Sequence, residues 1–156
     1  MAKRRVLFVC LGNICRSPLA EGVFQHLVDE RGLSDEYDVD SAGTGAYHAG
    51  EPSDERSQEV ARRHGITLTS VARKVVRSDF TSFDLVVAMD RENLHNLQRA
   101  CPQEHRDKVR MMRGWDPAGE GDVPDPYYGG PRGFDTVYEI VDRSCRALLD
   151  DLEGGA

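Results

Sequence analysis

Cys10, Arg16 and Ser17 lie close together in the run Cys10-Leu11-Gly12-Asn13-Ile14-Cys15-Arg16-Ser17. Ser17 followed by Pro18 reads as a helix N-cap and first helical residue, so the run ends where unpaired amides and partial positive charge attract anions. Gly12 lets the backbone fold its N–H groups inward, and Arg16 adds a planar two-pronged donor. These are the parts of an anion cradle. Cys10 would make the cradle reactive, because the amides, dipole and guanidinium that hold a phosphate also stabilise a thiolate. A phosphate monoester further requires a proton for its leaving oxygen, hence a carboxylic acid on a loop over the cradle. Asp116 and Asp125 both precede proline, which restricts the backbone, but only Asp125 continues as Asp-Pro-Tyr-Tyr-Gly-Gly.

Each residue alone has a plainer reading. A strand-end cysteine is most often a small buried hydrophobe, Arg16 a surface cation, Ser17 only a cap and Asp125 a turn former. Their succession behind a strand changes that reading; Asp116 stays a turn former. A nucleotide-binding Walker loop would need Gly-Lys before the serine, and no Gly-x-Gly-x-x-Gly turn follows a strand. Cys10 and Cys15 have no Cys-x-x-Cys mate, and His26, His48, His64, His95 and His105 are scattered, so no metal is expected.

The elements that must position these groups alternate. RVLFV at 5–9 is β-branched and apolar, as in a central parallel strand buried on both faces. YDVDSA at 37–42, DLVVAM at 84–89 and, more weakly, KVRMM at 108–112 are further strands. A helix is expected from Ser17 to Gly32, one from Ser53 to Gly65, one from Asp90 or Arg91 to Ala100, and one over 133–152. In the last, Val137, Ile140, Val141, Ser144, Cys145, Leu148 and Leu152 share a stripe that should pack on the sheet. The pattern predicts a single three-layer α/β domain, with a four-stranded parallel sheet flanked by helices on both faces. Such sheets bind ligands at the carboxyl ends of their strands, which points to the loop after residue 9.

Composition narrows the class. The chain has 156 residues, 39% apolar and 30% charged, enough for one core. A net charge of −7 argues against nucleic acid or anionic membrane as partner, and VLFVCL at 6–11 is far too short to span a bilayer. The basic start MAKRRVLFVC lacks a signal-peptide cleavage site, and four cysteines are too few for a secreted scaffold. A cytoplasmic protein is expected, with Cys101 and Cys145 in the core.

VCLGNICRSPLAEG at 9–22 and DPYYGG at 125–130 resemble the two signatures of the low-molecular-weight protein tyrosine phosphatases. The likeness covers nearly the whole chain, through Ser41-Ala42-Gly43-Thr44, Gly50-Glu51-Pro52, Ala72-Arg73 and Met89-Asp90. Other tyrosine phosphatases share the Cys-x5-Arg loop but usually carry His before the cysteine, deep in a longer domain, where Val9 and an N-terminal position stand here. The resemblance implies one phosphatase domain over 1–156 that hydrolyses phosphotyrosine and small aryl phosphates without a cofactor. Its partners would be tyrosine-phosphorylated proteins or peptides, and it would act as a monomer.

By the same resemblance Cys10 attacks phosphorus, while Arg16 and the amides of Leu11, Gly12, Asn13, Ile14 and Cys15 bind the oxygens. Ser17 hydrogen-bonds the Cys10 sulfur, Asn13 ties the loop in shape with Ser41, and Asp125 donates a proton and then activates water. Ile14, Tyr47, Tyr127 and Tyr128 would line the substrate cleft. Ile14 matches the tyrosine-directed members, whereas phosphoarginine-directed relatives carry Thr there. Cys15 resembles a second loop cysteine that bridges to Cys10 on oxidation. Tyr47 stands where many relatives have Trp, and Ser70 where relatives commonly have His. Asp90 should cap the helix after the third strand or tether the acid loop, Arg73 should form an ion pair, and Trp115 should pack. Two other functions make demands that this sequence does not meet. A thiol-linked arsenate reductase on the same fold would need two further relay cysteines, yet Cys101 and Cys145 fall on separate expected helices. A noncatalytic phosphopeptide module would have no use for both Cys10 and Asp125.

Overall fold

The computed structural model describes residues 3–127, 129–130 and 132–154. Four strands, β1 (Arg4–Cys10), β2 (Tyr37–Gly43), β3 (Leu85–Ala88) and β4 (Val109–Met111), form one parallel sheet in the order β2-β1-β3-β4. β1 is interior, pairing Val6 with Val39 on one side and with Leu85 on the other. Its alternate residues serve opposite faces, which is why it reads as an unbroken apolar run.

Val6, Phe8 and Cys10 join a core formed with α1 (Arg16–Glu30), α2 (Glu55–Arg63) and α5 (Arg132–Gly154). Leu7 and Val9 face the other way, into a second core with Phe80 of α3 (Asp79–Ser82) and Leu97 of α4 (Arg91–Ala100). The three expected layers are therefore present. Phe8 and Phe24 are fully buried with ring centroids 5.6 Å apart, and burial of each contributes roughly 1.5–3 kcal/mol. The α5 stripe runs through Val137, Ile140, Val141, Ser144, Cys145, Leu148 and Leu149, while Leu152 lies half-buried at its edge.

Helix starts differ from expectation in two places. α1 begins at Arg16 with Cys15 at its N-cap, and the Cys15 side chain makes no capping bond among the described residues, so Ser17 is not the cap. α2 is capped one residue later than Ser53, by Asp54, whose carboxylate accepts from the Arg56 N–H. Asp90 caps α4 as expected, accepting from the Asn93 N–H at 2.8 Å. Gly32 and Gly65 follow α1 and α2 with φ of +70° and +78°, a conformation that favours glycine.

The chain crosses from β2 over β1 to reach β3, so the sheet reverses its winding between β1 and β3. Ligands of such sheets bind at the carboxyl ends flanking that switch. There the loop after Cys10 meets the Met89-Asp90 turn. Among the described residues no helix is long and apolar enough to cross a membrane.

Candidate active site

The loop from Cys10 to Arg16 is held by its carbonyls. Thr44 and Gly45 N–H groups donate to Cys10 and Leu11 oxygens at 2.9 and 3.0 Å, the Asp54 N–H to Ile14 oxygen at 2.8 Å, and the Ser57 hydroxyl to Cys15 oxygen at 3.2 Å. Gly43 lets this backbone approach, because a Cβ there would lie 2.8 Å from the Leu11 oxygen. Asn13 takes the left-handed turn at φ +59°, and a Cβ on Gly12 would crowd the His48 ring. With the Cys10, Leu11, Ile14 and Cys15 carbonyls tied to neighbouring segments and no side chain capping α1 among the described residues, the loop keeps amide donors for an anion.

Side chains complete the brace. The Asn13 amide donates to Ser17 Oγ at 2.8 Å and to Ser41 Oγ at 3.0 Å, while its oxygen accepts the Arg73 N–H at 3.0 Å. Ser17 Oγ, having accepted from Asn13, lies 3.1 Å from Cys10 Sγ and 3.4 Å from the Ala42 oxygen, so its one proton has two acceptors, of which a thiolate would be the nearer and the charged one. Ser17 is therefore not the cap that Ser-Pro suggested, but its hydroxyl does lie against the Cys10 sulfur, as the resemblance implies. Ser41 donates to Glu21 Oε1 at 2.5 Å, and burial pushes the Glu21 carboxyl up to about 7. Arg73 also pairs with Asp40 and Asp79, both at 3.0 Å, the structural role expected of it.

Arg16 is 2% exposed and fixed from behind. Its Nη1 donates to Asp90 Oδ2 at 2.6 Å and to the Val123 oxygen at 2.9 Å. Burial alone would loosen its proton, but the negative charge of Cys10 and the bond to Asp90 outweigh that and keep it cationic. Asp90 therefore does two jobs, one oxygen on the α4 terminus and one on Arg16. Asp125 stands opposite, its Oδ2 at 3.7 Å from Arg16 Nη2 and its Oδ1 accepting the Tyr127 N–H at 3.1 Å.

Cys10, Leu11, Gly12, Ile14, Cys15, Arg16, Tyr47, His48, Asp125 and Tyr127 line one pocket of about 290 Å³. The sequence-derived residues thus converge: the Cys10 thiol, the Arg16 guanidinium and the Asp125 carboxylate share it, Ile14 and Tyr127 form walls, and Tyr47 projects at the mouth, 75% exposed. Tyr128 lies outside the described residues. Cys15 is buried and its thiol is pushed up to about 12, by burial first and then by the negative charge of Asp54, Cys10 and Asp125.

Sequence reasoning missed His48, which lines the pocket with Nδ1 at 3.1 Å from Glu51, and the grip of Asp90 on Arg16. It also under-read Asp116, whose buried carboxylate accepts from Arg113 and, through both oxygens, from Arg143. Ser70 lies 3.5 Å from Ser53 Oγ. Cys101 and Cys145 are both buried, in cores on opposite faces of the sheet, which removes the relay an arsenate reductase would need.

A family model described as low molecular weight phosphotyrosine protein phosphatase matches residues 5–155. A low molecular weight protein-tyrosine-phosphatase of Streptomyces coelicolor is 48% identical over 161 residues, covering 97% of this chain and 98% of its own. The low molecular weight phosphotyrosine protein phosphatase of Homo sapiens is 44% identical over 151 residues, 96% of each chain. A crystal structure of a protein tyrosine phosphatase from Entamoeba histolytica, with Hepes in its active site, superposes with a TM-score of 0.95 at 42% identity, covering 98% of this chain and 99% of that one.

Proposed function

This chain belongs to the low molecular weight phosphotyrosine protein phosphatase family, and on that premise we propose that its Cys10, Arg16 and Asp125 carry the hydrolysis of phosphotyrosine and small aryl phosphates. The observation that carries this reading is the facing pair: Cys10 with Ser17 Oγ 3.1 Å from its sulfur, and Asp125 across the same pocket. Cys10 Sγ attacks phosphorus in line with the phenolic oxygen. The P–O bond breaks, protonated Asp125 gives its proton to the leaving phenolate, and a phosphocysteine forms. The Asp125 carboxylate then takes a proton from water, whose oxygen attacks phosphorus. Inorganic phosphate leaves, and the thiolate returns to its serine.

Arg16 and the amides from Leu11 to Cys15 hold the equatorial oxygens, so the charge of the transition state meets a prearranged cation and dipoles without a metal. Ile14, Tyr47 and Tyr127 wall a cleft suited to a phenyl ring, and Tyr128 is the fourth substrate-binding residue of this reading. The substrates are tyrosine-phosphorylated proteins or peptides, neither nucleic acid nor membrane. The protein acts in the cytoplasm as a monomer, through a single domain of residues 1–156. Acid quench of turnover with a ³²P-labelled aryl phosphate, in EDTA, should leave label on Cys10, and Cys10→Ser should be inactive. An unlabelled protein, or an active Cys10→Ser, would overturn the assignment.

Cys15 serves as a redox guard in the same pocket. Peroxide converts the Cys10 thiolate to a sulfenic acid, the Cys15 thiol attacks that sulfur, and water leaves as the disulfide forms. Dithiothreitol should then restore peroxide-treated wild type but not Cys15→Ala; equal recovery in both would remove this role.

A further inference from the structure

Asp125 sits on an exposed loop, yet an acid must be held to within about half an ångström to be useful. Part of what holds it is Arg56, in the first turn of α2. Nε and Nη2 of Arg56 grip Asp54 Oδ1 and Oδ2 at 3.0 and 2.9 Å, a two-pronged pair that fixes the guanidinium plane. The remaining nitrogen, Nη1, donates to the Tyr127 carbonyl at 3.1 Å. The same guanidinium lies 5.3 Å from the Tyr127 ring centroid and 4.6 Å from that of Phe134 on α5.

Both ends of this contact lead to the chemistry. Asp54, which holds Arg56, also donates its N–H to the Ile14 carbonyl of the phosphate loop. Tyr127, which Arg56 holds by its carbonyl, gives its N–H to the Asp125 carboxylate. A continuous path therefore runs from the Ile14 carbonyl through Asp54, Arg56 and Tyr127 to Asp125, joining the loop that carries the nucleophile to the loop that carries the acid.

We propose that Arg56 is a positioning residue for proton donation: it registers the acid loop against the phosphate loop and so sets the Asp125 carboxyl over the leaving oxygen. This rests on Asp125 being the proton donor. Arg56 touches neither phosphate nor sulfur in this scheme. Its planar fork matters more than its charge, because a lysine can meet the Tyr127 carbonyl or Asp54 but cannot reproduce three directed N–H contacts in one plane.

Leaving-group dependence isolates this role, since a well-activated phenolate departs without a proton and a poor one does not. For kcat/KM, Arg56→Ala should cost phenyl phosphate about tenfold or more beyond what it costs 2,4-dinitrophenyl phosphate, with Arg56→Lys close behind. Competitive inhibition by inorganic phosphate should change less than about twofold, as the cradle is untouched. Asp125→Asn sets the ceiling, and adding Arg56→Ala to it should slow phenyl phosphate no further.

Equal slowing of both esters, no slowing of either, or a full additive loss in the double variant would each overturn the proposal while leaving Asp125 as the acid. Should Asp125→Asn itself show no preference for good leaving groups, the acid assignment falls, and this inference with it. Thermal unfolding of Arg56→Ala tests its folding, and Arg56→Lys carries the comparison where alanine fails to fold.

Discussion

The two halves of the site are built to different standards. On the nucleophile side Cys10, Asn13 and Arg16 are all 3% exposed or less, and four carbonyls of that loop are held by neighbouring segments. On the acid side the Asp125 side chain is 43% exposed and leans on Arg16 at 3.7 Å. The contrast follows from what each must do. A cradle for a dianion gains most when its dipoles are oriented before the ligand arrives. A proton donor has to admit a bulky ester beneath it and then settle over the leaving oxygen. Rigidity on one side and tethered exposure on the other divide the labour.

Arg16→Lys should break this division most visibly. Lysine keeps the charge but cannot hold Asp90 and the Val123 carbonyl while presenting a second planar nitrogen to phosphate. Loss of kcat/KM on the order of 10² or more is expected, equal for good and poor leaving groups, because the cradle acts on phosphorus rather than on the departing phenol. A loss confined to poor leaving groups would mean that Arg16 works mainly through Asp125, and the two halves would not be separate. Arg56→Ala is the mirror case, a smaller loss that should depend on the leaving group.

The same contrast explains what could be read in advance. The Cys10–Ser17 loop is a contiguous run, and the residue types within it suggest most of the chemistry proposed for it. Even there Ser17 divides: Ser-Pro is a helix-start signal, yet α1 starts at Arg16 with Cys15 at its N-cap, while the contact to the sulfur seven positions back, which the resemblance implied and helix-start rules do not, is present at 3.1 Å. The acid loop is made by distant partners. Arg56 reaches Tyr127 of that loop across 71 positions, as on the other side Arg16 reaches Asp90 across 74, and no periodicity or motif brings such pairs together. Asp116 does form the expected turn, its carboxylate accepting the Ala118 N–H, but its pairing with Arg143 is 27 positions away and has no local signal. The short α3 escaped because four residues hold no helical period. Long, strongly apolar elements such as β1 and α5 were plain, since burial imposes its pattern on every turn or pair of residues.

The cradle's last brace sharpens the comparison by pH. Glu21 ends the chain through Ser41, Asn13 and Ser17 to Cys10, and its carboxyl is pushed from 4.5 to about 7 by burial. The Ser41 hydroxyl and the charge of Arg73 oppose that shift, and the charge of Asp40 adds to it. Between those two pH values the folded protein keeps a proton that the unfolded chain has released. The stabilisation is therefore complete below pH 4.5 and is lost as pH rises through about 7. Asp116 works in the opposite sense: burial would raise its carboxyl, but Arg143, the Ala118 N–H and Arg113 pull it below the usual range, so its contribution is lost as acid is added. Wild-type stability thus mixes both slopes, and a difference measurement is needed. Glu21→Gln keeps the shape and removes the titration. Urea midpoints for the two proteins should draw apart between pH 5 and 8, the variant gaining relative to wild type as pH rises. The change in kcat/KM should stay within about threefold, because Asn13 still donates to Ser17 whichever state Glu21 adopts. Parallel stability profiles would show that Glu21 is already ionised at pH 5, and that the brace beneath the nucleophile is a charged one throughout.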